Sequence, residues 1–169
     1  MRRITLILLA AIIVCPLLVA CNGSAGVTKP TIGSIPDGWY LSNQDSYGTF
    51  VEDDNTKWGL IEYTDEVDGD FVQIYYGDVP QELKGKEADE DALIGRAVLE
   101  SYAFEPTEMG TMTVGGSLAG YTRAYDASYD VYDMEIVFVV GSTCIDIYTC
   151  FDANATDEAQ AMSLIYSIR

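Results

Sequence analysis

A β-hairpin between Tyr132 and Phe151 constrains the fold of this chain more than any other segment. Two runs rich in β-branched and aromatic residues flank Gly141-Ser142, and glycine in the first position of a two-residue turn is typical of type II′. The turn fixes the register of the two strands. The predicted pairs are Val140 with Thr143, Phe138 with Ile145, and Ile136 with Ile147. The opposite face is also apolar, so we expect both faces of the sheet to be covered. Its residues are Val137, Val139, Cys144 and Tyr148.

The rest of the chain alternates between the strand and helix periods. Runs of alternating or β-branched residues predict strands over 39–42, 49–52, 57–63, 71–76, 111–114 and 119–125. Helical spacing of apolar residues predicts a helix over 89–102 and another over 156–168. The first helix would bury Ala92, Leu93, Ala97, Val98 and Tyr102, and the second Ala159, Met162, Leu164, Ile165 and Ile168. This order predicts an α+β fold in which a mostly antiparallel sheet is covered by two main helices.

The N-terminus has the features of an export signal. Arg2 and Arg3 precede an apolar run that ends at Leu18-Val-Ala-Cys21. This ending resembles the lipobox of prokaryotic lipoproteins, which implies a signal peptide over 1–20 and a diacylglycerol on Cys21. The alternatives are an uncleaved anchor helix, for which the run is short, and plain cleavage and release. A polar, proline-containing segment, 21–34, predicts a flexible tether, and a single domain follows over 35–169.

The order of elements resembles the PsbP-like fold, which is found in an extrinsic photosystem II protein and in many prokaryotic lipoproteins of unassigned role. The matching features are Ile35-Pro-Asp-Gly-Trp39, the arm that contains Val-Gly-Gly-Ser-Leu-Ala-Gly-Tyr from Val114, the Gly141-Ser142 hairpin, and a final helix ending in Ser167-Ile-Arg. The resemblance implies an α/β/α sandwich and a role in binding or assembly rather than catalysis. Histidines that bind metal in photosynthetic members have no counterpart here.

Charge and composition exclude several classes of function. The chain has 9 basic and 27 acidic residues, and loss of Arg2 and Arg3 leaves 7 against 27, or −20. Such a surface repels phosphate backbones, so we expect no nucleic-acid partner. The sequence contains no histidine, the commonest general base and transition-metal ligand. It also contains no nucleophile elbow, phosphate-binding loop or zinc-protease motif. We therefore predict that the protein is not an enzyme and needs no cofactor.

The domain has two cysteines, Cys144 and Cys150, on one predicted strand. Six residues of extended chain span about 20 Å, which is too far for a disulfide. We predict two reduced, largely buried cysteines.

Three groups of residues are candidates for a site. The first is a Tyr-Asp cluster on a predicted turn, which forms either a partner-binding patch or an ordinary hairpin tip with solvated acids. Its residues are Tyr125, Asp126, Tyr129, Asp130, Tyr132 and Asp133. The second is an acidic loop whose Asp65, Asp68 and Asp70 could hold calcium, although the spacing departs from that of the helix-loop-helix calcium motif. The third is a pair of glycosylation acceptor patterns, at Asn22 and at Asn154, which could instead cap a helix.

The sequence thus predicts a lipid-anchored binding or assembly module on the outer face of the cytoplasmic membrane or in the cell envelope, with a protein partner. The alternative is a lipoprotein that binds calcium or a small solute. A hydrolase that uses paired carboxylates is a third hypothesis, with less to support it.

Overall fold

A computed structural model describes residues 26–52, 55–101 and 104–169. Within these residues the chain forms one antiparallel sheet of seven strands, in the order β1-β2-β3-β7-β6-β5-β4. The strands are β1 Trp39–Val51, β2 Lys57–Asp65, β3 Phe71–Asp78, β4 Glu108–Val114, β5 Ser117–Asp126, β6 Val131–Val140 and β7 Thr143–Asp152. The helices are α1 Glu90–Glu100 and α2 Ala155–Tyr166, and a short 3₁₀ turn covers Gln81–Leu83. The predicted signal peptide, Cys21 and Asn22 lie outside the described residues.

The predicted hairpin is confirmed as β6 and β7. Val140 pairs with Thr143, and the register continues through the two pairs predicted further along. Gly141 has a φ of 62°, as the first residue of a type II′ turn requires. These two strands occupy inner positions of the sheet, with β3 and β5 on either side. The hairpin therefore forms the centre of the sheet.

The predicted sheet covered by two main helices is wrong, and with it the α/β/α sandwich. Of the residues that the structure describes, 49% are in strands and 19% in helices. The helices have 11 and 12 residues. A helix is about 10 Å wide and strands lie about 4.8 Å apart, so one helix covers about two strands. Neither helix can cover a sheet of this width, and α1 lies on β5 and β6 with a smaller contact to β4.

The core has one part on each face of the sheet. On one face α2 packs against the sheet through Leu164 and Ile165, with Ile168 just beyond the end of the helix. On the other face α1 buries Leu93 and Ala97 against Val137 and Val139. Because α1 lies to one side, the face of β2, β3 and β7 is left for other groups to cover.

The two helices depart from their predicted stripes in a way that matters for the site. Val98, predicted to be buried, is exposed, and Arg96, which is not among the predicted apolar positions, is buried. Tyr102 lies outside the described residues. In α2, Leu164 and Ile165 are buried as predicted, while Met162 is only half-buried and Ala159 is exposed.

Each helix begins at a side-chain cap. The carboxylate of Asp89 accepts a hydrogen bond from the backbone N–H of Ala92 at 2.9 Å. The side chain of Asn154 accepts two, from Thr156 at 3.0 Å and from Asp157 at 3.1 Å. The interpretation of Asn154 as a helix cap is therefore confirmed.

The segments 39–42 and 49–52, predicted as two strands, belong largely to one long irregular strand, β1. Asp45 pairs with Leu60, and Phe50 pairs with Trp58. Between these two pairs, residues 46–49 of β1 lie opposite the single residue Gly59 of β2. Gly48, within this irregularity, has a φ of 87°. The bulge turns the end of β1 toward the face that α1 leaves uncovered, where the ring of Phe50 meets that of Tyr75.

The chain contacts the domain before its predicted start at Ile35. Thr31 and Arg169 exchange two backbone hydrogen bonds, and Ile32 forms a bridge with Ile168. The N–H of Thr28 donates to Oγ1 of Thr143 at 2.8 Å. Contacts with the domain thus extend through the second half of the predicted tether. Within the described ranges, the search found no helix with the length and apolarity needed to span a membrane.

Candidate functional site

A cavity of about 460 Å³ lies on the sheet face that α1 leaves uncovered. Its floor comes from β2, β3, β6 and β7, one wall is the bulged end of β1, and the end of α1 closes another side. Four aromatic side chains line it: Phe50, Trp58, Tyr75 and Tyr148. Four carboxyl groups also line it: Glu52, Glu100, Glu135 and Asp146. The cavity thus combines an apolar wall with a strongly acidic floor.

The register of the central strands brings two of these carboxyl groups together. Glu135 pairs with Tyr148, and Asp146 pairs with Val137 two residues further along β6. Residues two apart along a strand share a face, so Glu135 and Asp146 are diagonal neighbours on the cavity floor. On the other side of β7, Tyr75 pairs with Asp146.

Glu135 and Asp146 form a nearly buried, hydrogen-bonded pair on the floor of the cavity. They are 4% and 5% exposed, and their side chains are joined by a hydrogen bond. Burial raises the pKa of Glu135 far above its usual range, and the adjacent Asp146 raises it further. Burial also raises the pKa of Asp146, which the hydrogen bond from Glu135 partly offsets. Two carboxyl groups this close do not both ionise, so at neutral pH Glu135 carries the proton and donates it to Asp146.

Two buried polar atoms at the cavity have no hydrogen-bond partner among the described residues. They are Oδ1 of Asp146 and Nε1 of Trp58. Trp58 is only 4% exposed. An unpaired buried donor or acceptor costs about 1–3 kcal/mol. Both residues line the cavity, so one acceptor and one donor with unmet hydrogen bonds lie beside the space for a bound molecule.

Arg96 and Glu100 stand at the edge of this acidic floor. Arg96, 9% exposed, donates to Oε1 of Glu82 at 2.8 Å and forms an ion pair with Glu100 four residues later in α1. Its NH2 also lies 3.8 Å from Oε1 of Glu52. Burial and the charge of Asp146 raise the pKa of Glu100 to about 7, although Arg96 opposes this. Glu100 can therefore gain or lose its proton near neutral pH.

The residues of the predicted Tyr-Asp cluster lie in different environments in the structure. Tyr129 lies at the tip between β5 and β6 and is 78% exposed. The hydroxyl of Tyr125 donates to Asp130 at 2.8 Å. Tyr132 is half-buried against the core, with the guanidinium of Arg123 3.7 Å from its ring centre.

The two remaining acids of that cluster have separate partners. Asp133 accepts a hydrogen bond from the hydroxyl of Tyr148 at 2.8 Å, on the cavity side of the sheet. Asp126 accepts one from the backbone N–H of Ser128 at 2.7 Å. Tyr129 and Tyr125 are therefore the exposed aromatic residues of the cluster, and Tyr132 serves the core.

The three predicted calcium ligands also separate. Asp70 is buried and accepts a hydrogen bond from the N–H of Asp152, and burial raises its pKa to about 6. Asp65 accepts from the N–H of Val67 within the loop. Asp68 instead lies with Asp152 and Asp157, and one carboxylate oxygen from each falls within 4.8 Å of the others.

The prediction of two reduced cysteines is confirmed. Cys144 and Cys150 are free thiols on β7, the first buried and the second half-buried.

The cavity residues were not identified from the sequence, although the sequence contained a signal for two of them. Glu135 and Asp146 are single acids inside otherwise apolar central strands, and a lone buried acid requires a partner or a function.

No protein-family model matches the chain, and no curated protein sequence matches it significantly. The resemblance to PsbP-like lipoproteins stays a prediction from the sequence.

Proposed function

We propose that this protein is a lipid-anchored, extracytoplasmic binding protein for a small solute, which it holds in the cavity on the open face of the sheet. The observation that carries the proposal is the pair of unpartnered buried atoms, Oδ1 of Asp146 and Nε1 of Trp58, in an aromatic-lined cavity. Ligand cavities usually measure about 300–1,000 Å³ and combine apolar walls with a few polar groups. This cavity, of about 460 Å³, has that size and chemistry.

The proposal is for binding rather than catalysis. The buried Glu135–Asp146 pair could transfer a proton, but the sequence supplies no nucleophile motif beside it. A shared proton and an unpaired acceptor are sufficient to orient a solute. The absence of enzymatic activity therefore remains part of the proposal.

The lipid on Cys21 and the envelope location are also part of the proposal. Among the described residues, Gly26 is the first that contacts the domain, and it lies five positions after Cys21, with four residues between them. At about 3.5 Å per residue, this spacer spans at most about 18 Å. Gly26 accepts a hydrogen bond from Ser142 in the β6–β7 turn. That turn is then the end of the sheet nearest the membrane.

A thermal-shift screen of the mature protein against sugars, amino acids, amines and aromatic compounds tests the solute proposal. A solute present at 100 times its Kd should raise the free energy of unfolding by about 2.7 kcal/mol. We expect Tyr75→Ala, in the cavity, to abolish this shift. The matched control is Tyr166→Ala, on the exposed surface of α2, which should retain it. The proposal fails if no class of solute shifts the melt, or if both variants respond equally.

A protein partner is the second candidate, and the exposure of Tyr129 favours it. Cross-linking from native membranes should then capture one dominant protein, and Tyr129→Ala should lose it without a change in melting temperature. Tyr132 is unsuitable for this test because its ring packs on the core. Tyr166→Ala again serves as the control, and capture by both variants alike would argue against this surface.

A further inference from the structure

We infer that the solute is an organic cation, a protonated amine carried on an apolar body, with Asp146 as its hydrogen-bond acceptor. This inference rests on the proposed function and names the ligand class of the same cavity. Its first support is the sign of the charges. The lining includes four carboxyl groups and no lysine or arginine. The nearest guanidinium, that of Arg96, is already held by Glu82 and Glu100.

The polar groups of the floor suit an ammonium donor. Asp146 lines the cavity, is 5% exposed, and has an oxygen with no partner among the described residues. An N⁺–H donor would satisfy this oxygen and at the same time neutralise a buried negative charge, which a neutral hydroxyl cannot do. An anionic solute would add a further negative charge to the same low-dielectric space.

The walls suit the remainder of such a molecule. Aromatic faces attract cations through the ring quadrupole, and they also bury apolar surface. Phe50 and Tyr75 meet edge to face with centroids 6.2 Å apart, and Trp58 lies on the strand between them in the sheet order β1-β2-β3. The free N–H of Trp58 offers a hydrogen bond to an oxygen on the ligand.

A bare metal ion fits these acids less well. Across the described ranges, the group of acidic side chains with ligand atoms within 4.8 Å of one another is Asp68 with Asp152 and Asp157, outside this cavity. Glu100, Glu135 and Asp146 do not converge in this way, whereas a metal ion requires all its oxygen ligands at about 2.0–2.6 Å.

Binding of a cation should depend on pH through Glu100. The pKa of Glu100 lies at about 7, so this group is part protonated when the cavity is empty. A cation beside it favours the ionised form, so binding should release protons at pH 7 and tighten as the pH rises from 6 to 8. The charged groups that act on Glu100 are Arg96 on the same helix, Asp146, Glu52 and Glu82. Glu135, Tyr75 and Tyr148 also line the cavity beside it.

Isothermal titration calorimetry tests this inference on the lipidated mature protein in nanodiscs of zwitterionic phospholipid, with empty nanodiscs as the blank. Three probes share one apolar body and differ in charge: 2-phenylethylamine, 2-phenylethanol and 3-phenylpropionate. Butylamine varies the apolar body at the same single charge, and spermidine, a polyamine, carries more than one positive charge. We expect one or more amines to bind, and 2-phenylethylamine to bind at least about 10-fold more tightly than the alcohol. The carboxylate should bind weakest.

Two variants assign the residues. Asp146→Asn keeps the shape of the side chain but removes its charge, and it should weaken amine binding about 10- to 100-fold while the alcohol is little affected. Glu100→Gln should hold affinity near its pH 6 value and remove the proton release, which is measured by titration in buffers of different ionisation enthalpy. Melting temperatures confirm that both variants fold.

The outcomes separate the inference from the proposed function. Equal affinity for the alcohol and the amine, or amine binding that Asp146→Asn leaves unchanged, overturns the amine inference and leaves solute binding intact. The amine inference is also overturned if no amine binds more tightly than about 1 mM at pH 8 while another solute class does shift the melt. Failure of every solute class in the thermal screen removes the proposed function itself.

Discussion

Replacement of Gly120 by alanine should destabilise the protein by about 3 kcal/mol, because helix α1 rests directly on the backbone of β5 at this residue. A Cβ at Gly120 would lie 2.6 Å from the carbonyl oxygen of Leu93, and nearer still to the carbonyl carbon of Leu93 and the backbone nitrogen of Ile94. These are backbone atoms, so no side chain can turn away and the helix itself must move. For a domain of this size, a loss of about 3 kcal/mol lowers the melting temperature by about 10 °C.

Gly95→Ala is the matched control. Gly95 lies in the middle of α1, and a Cβ there would meet nothing within 4 Å. Alanine is favoured over glycine in a helix interior by about 0.5–1 kcal/mol, so this variant should be slightly more stable than the wild type. Urea unfolding of both variants measures the difference. A Gly120→Ala protein as stable as Gly95→Ala would show that α1 does not pack closely on β5.

The same substitution connects the fold to the site. Glu100 is the last residue of α1 and closes one side of the cavity. A helix displaced by a methyl group at Gly120 would shift Glu100 and Arg96 relative to the acidic floor. We therefore expect Gly120→Ala to weaken solute binding and to lower stability. Gly95→Ala should leave solute binding unchanged and should not lower stability.

The parts of the fold that sequence reasoning identified are those that local rules determine. The Gly141-Ser142 turn leaves a single register for β6 and β7, and that register is observed. Asn154 precedes an acidic first turn, and its side chain caps α2. In each case the sequence determines the structure over a few residues, so no knowledge of distant packing is needed.

The width of the sheet and the position of α1 on it were not predictable in this way. An amphipathic stripe indicates that one side of a helix packs against the core. It does not indicate which strands of the sheet the helix covers and which it leaves uncovered. The stripe in α1 even suggested Val98 for the core, whereas Arg96 is buried there by ion pairs to Glu82 and Glu100, residues from two different elements. Since the cavity lies where α1 is absent, its location also depended on this packing.

The acids of the site were visible in the sequence, but their pairing was not. Asp146 lies between Ile145 and Ile147, a position that a solvated carboxylate does not favour. Its relation to Glu135 follows only from the register of β6 against β7, and its relation to Glu100 only from the position of α1. The chain has 27 acidic residues and therefore many possible pairs. Only the structure shows which carboxyl groups lie close together.

The other large expected effect is that Arg96→Met destabilises the protein far more at pH 8 than at pH 5. Arg96 is buried, and its guanidinium faces Glu82, Glu100 and Glu52. Methionine retains the length and apolar volume of the side chain but leaves these carboxylates without a cation. Removing one partner of a buried ion pair costs about 3–5 kcal/mol, so at pH 8 we expect a loss of about 3 kcal/mol.

The pH dependence follows from Glu100. Burial and Asp146 raise its pKa to about 7 in the folded protein, from 4.5. A pKa raised by folding favours the folded state at low pH, and this contribution is lost as the pH rises from about 4.5 through 7. A shift of this size corresponds to about 3 kcal/mol for a fully buried group, and solvent screening of the partly exposed Glu100 reduces it to about 2 kcal/mol in the wild type. Without Arg96 the pKa of Glu100 rises further, so the loss between pH 5 and pH 8 must be larger in Arg96→Met.

Urea unfolding of both proteins at pH 5 and pH 8 measures this difference. At pH 5 Glu100 is protonated in either protein, so the variant should lose only about 1 kcal/mol. Arg123→Met is the control: it loses the Arg123–Glu158 ion pair, which should contribute about 1 kcal/mol or less, and the contact with the Tyr132 ring, and its loss should depend little on pH. Equal losses for Arg96→Met at both pH values would mean that Glu100 does not titrate in this range. Glu100→Gln in the Arg96→Met background should restore most of the stability lost at pH 8, because it removes the carboxylate that has lost its cation.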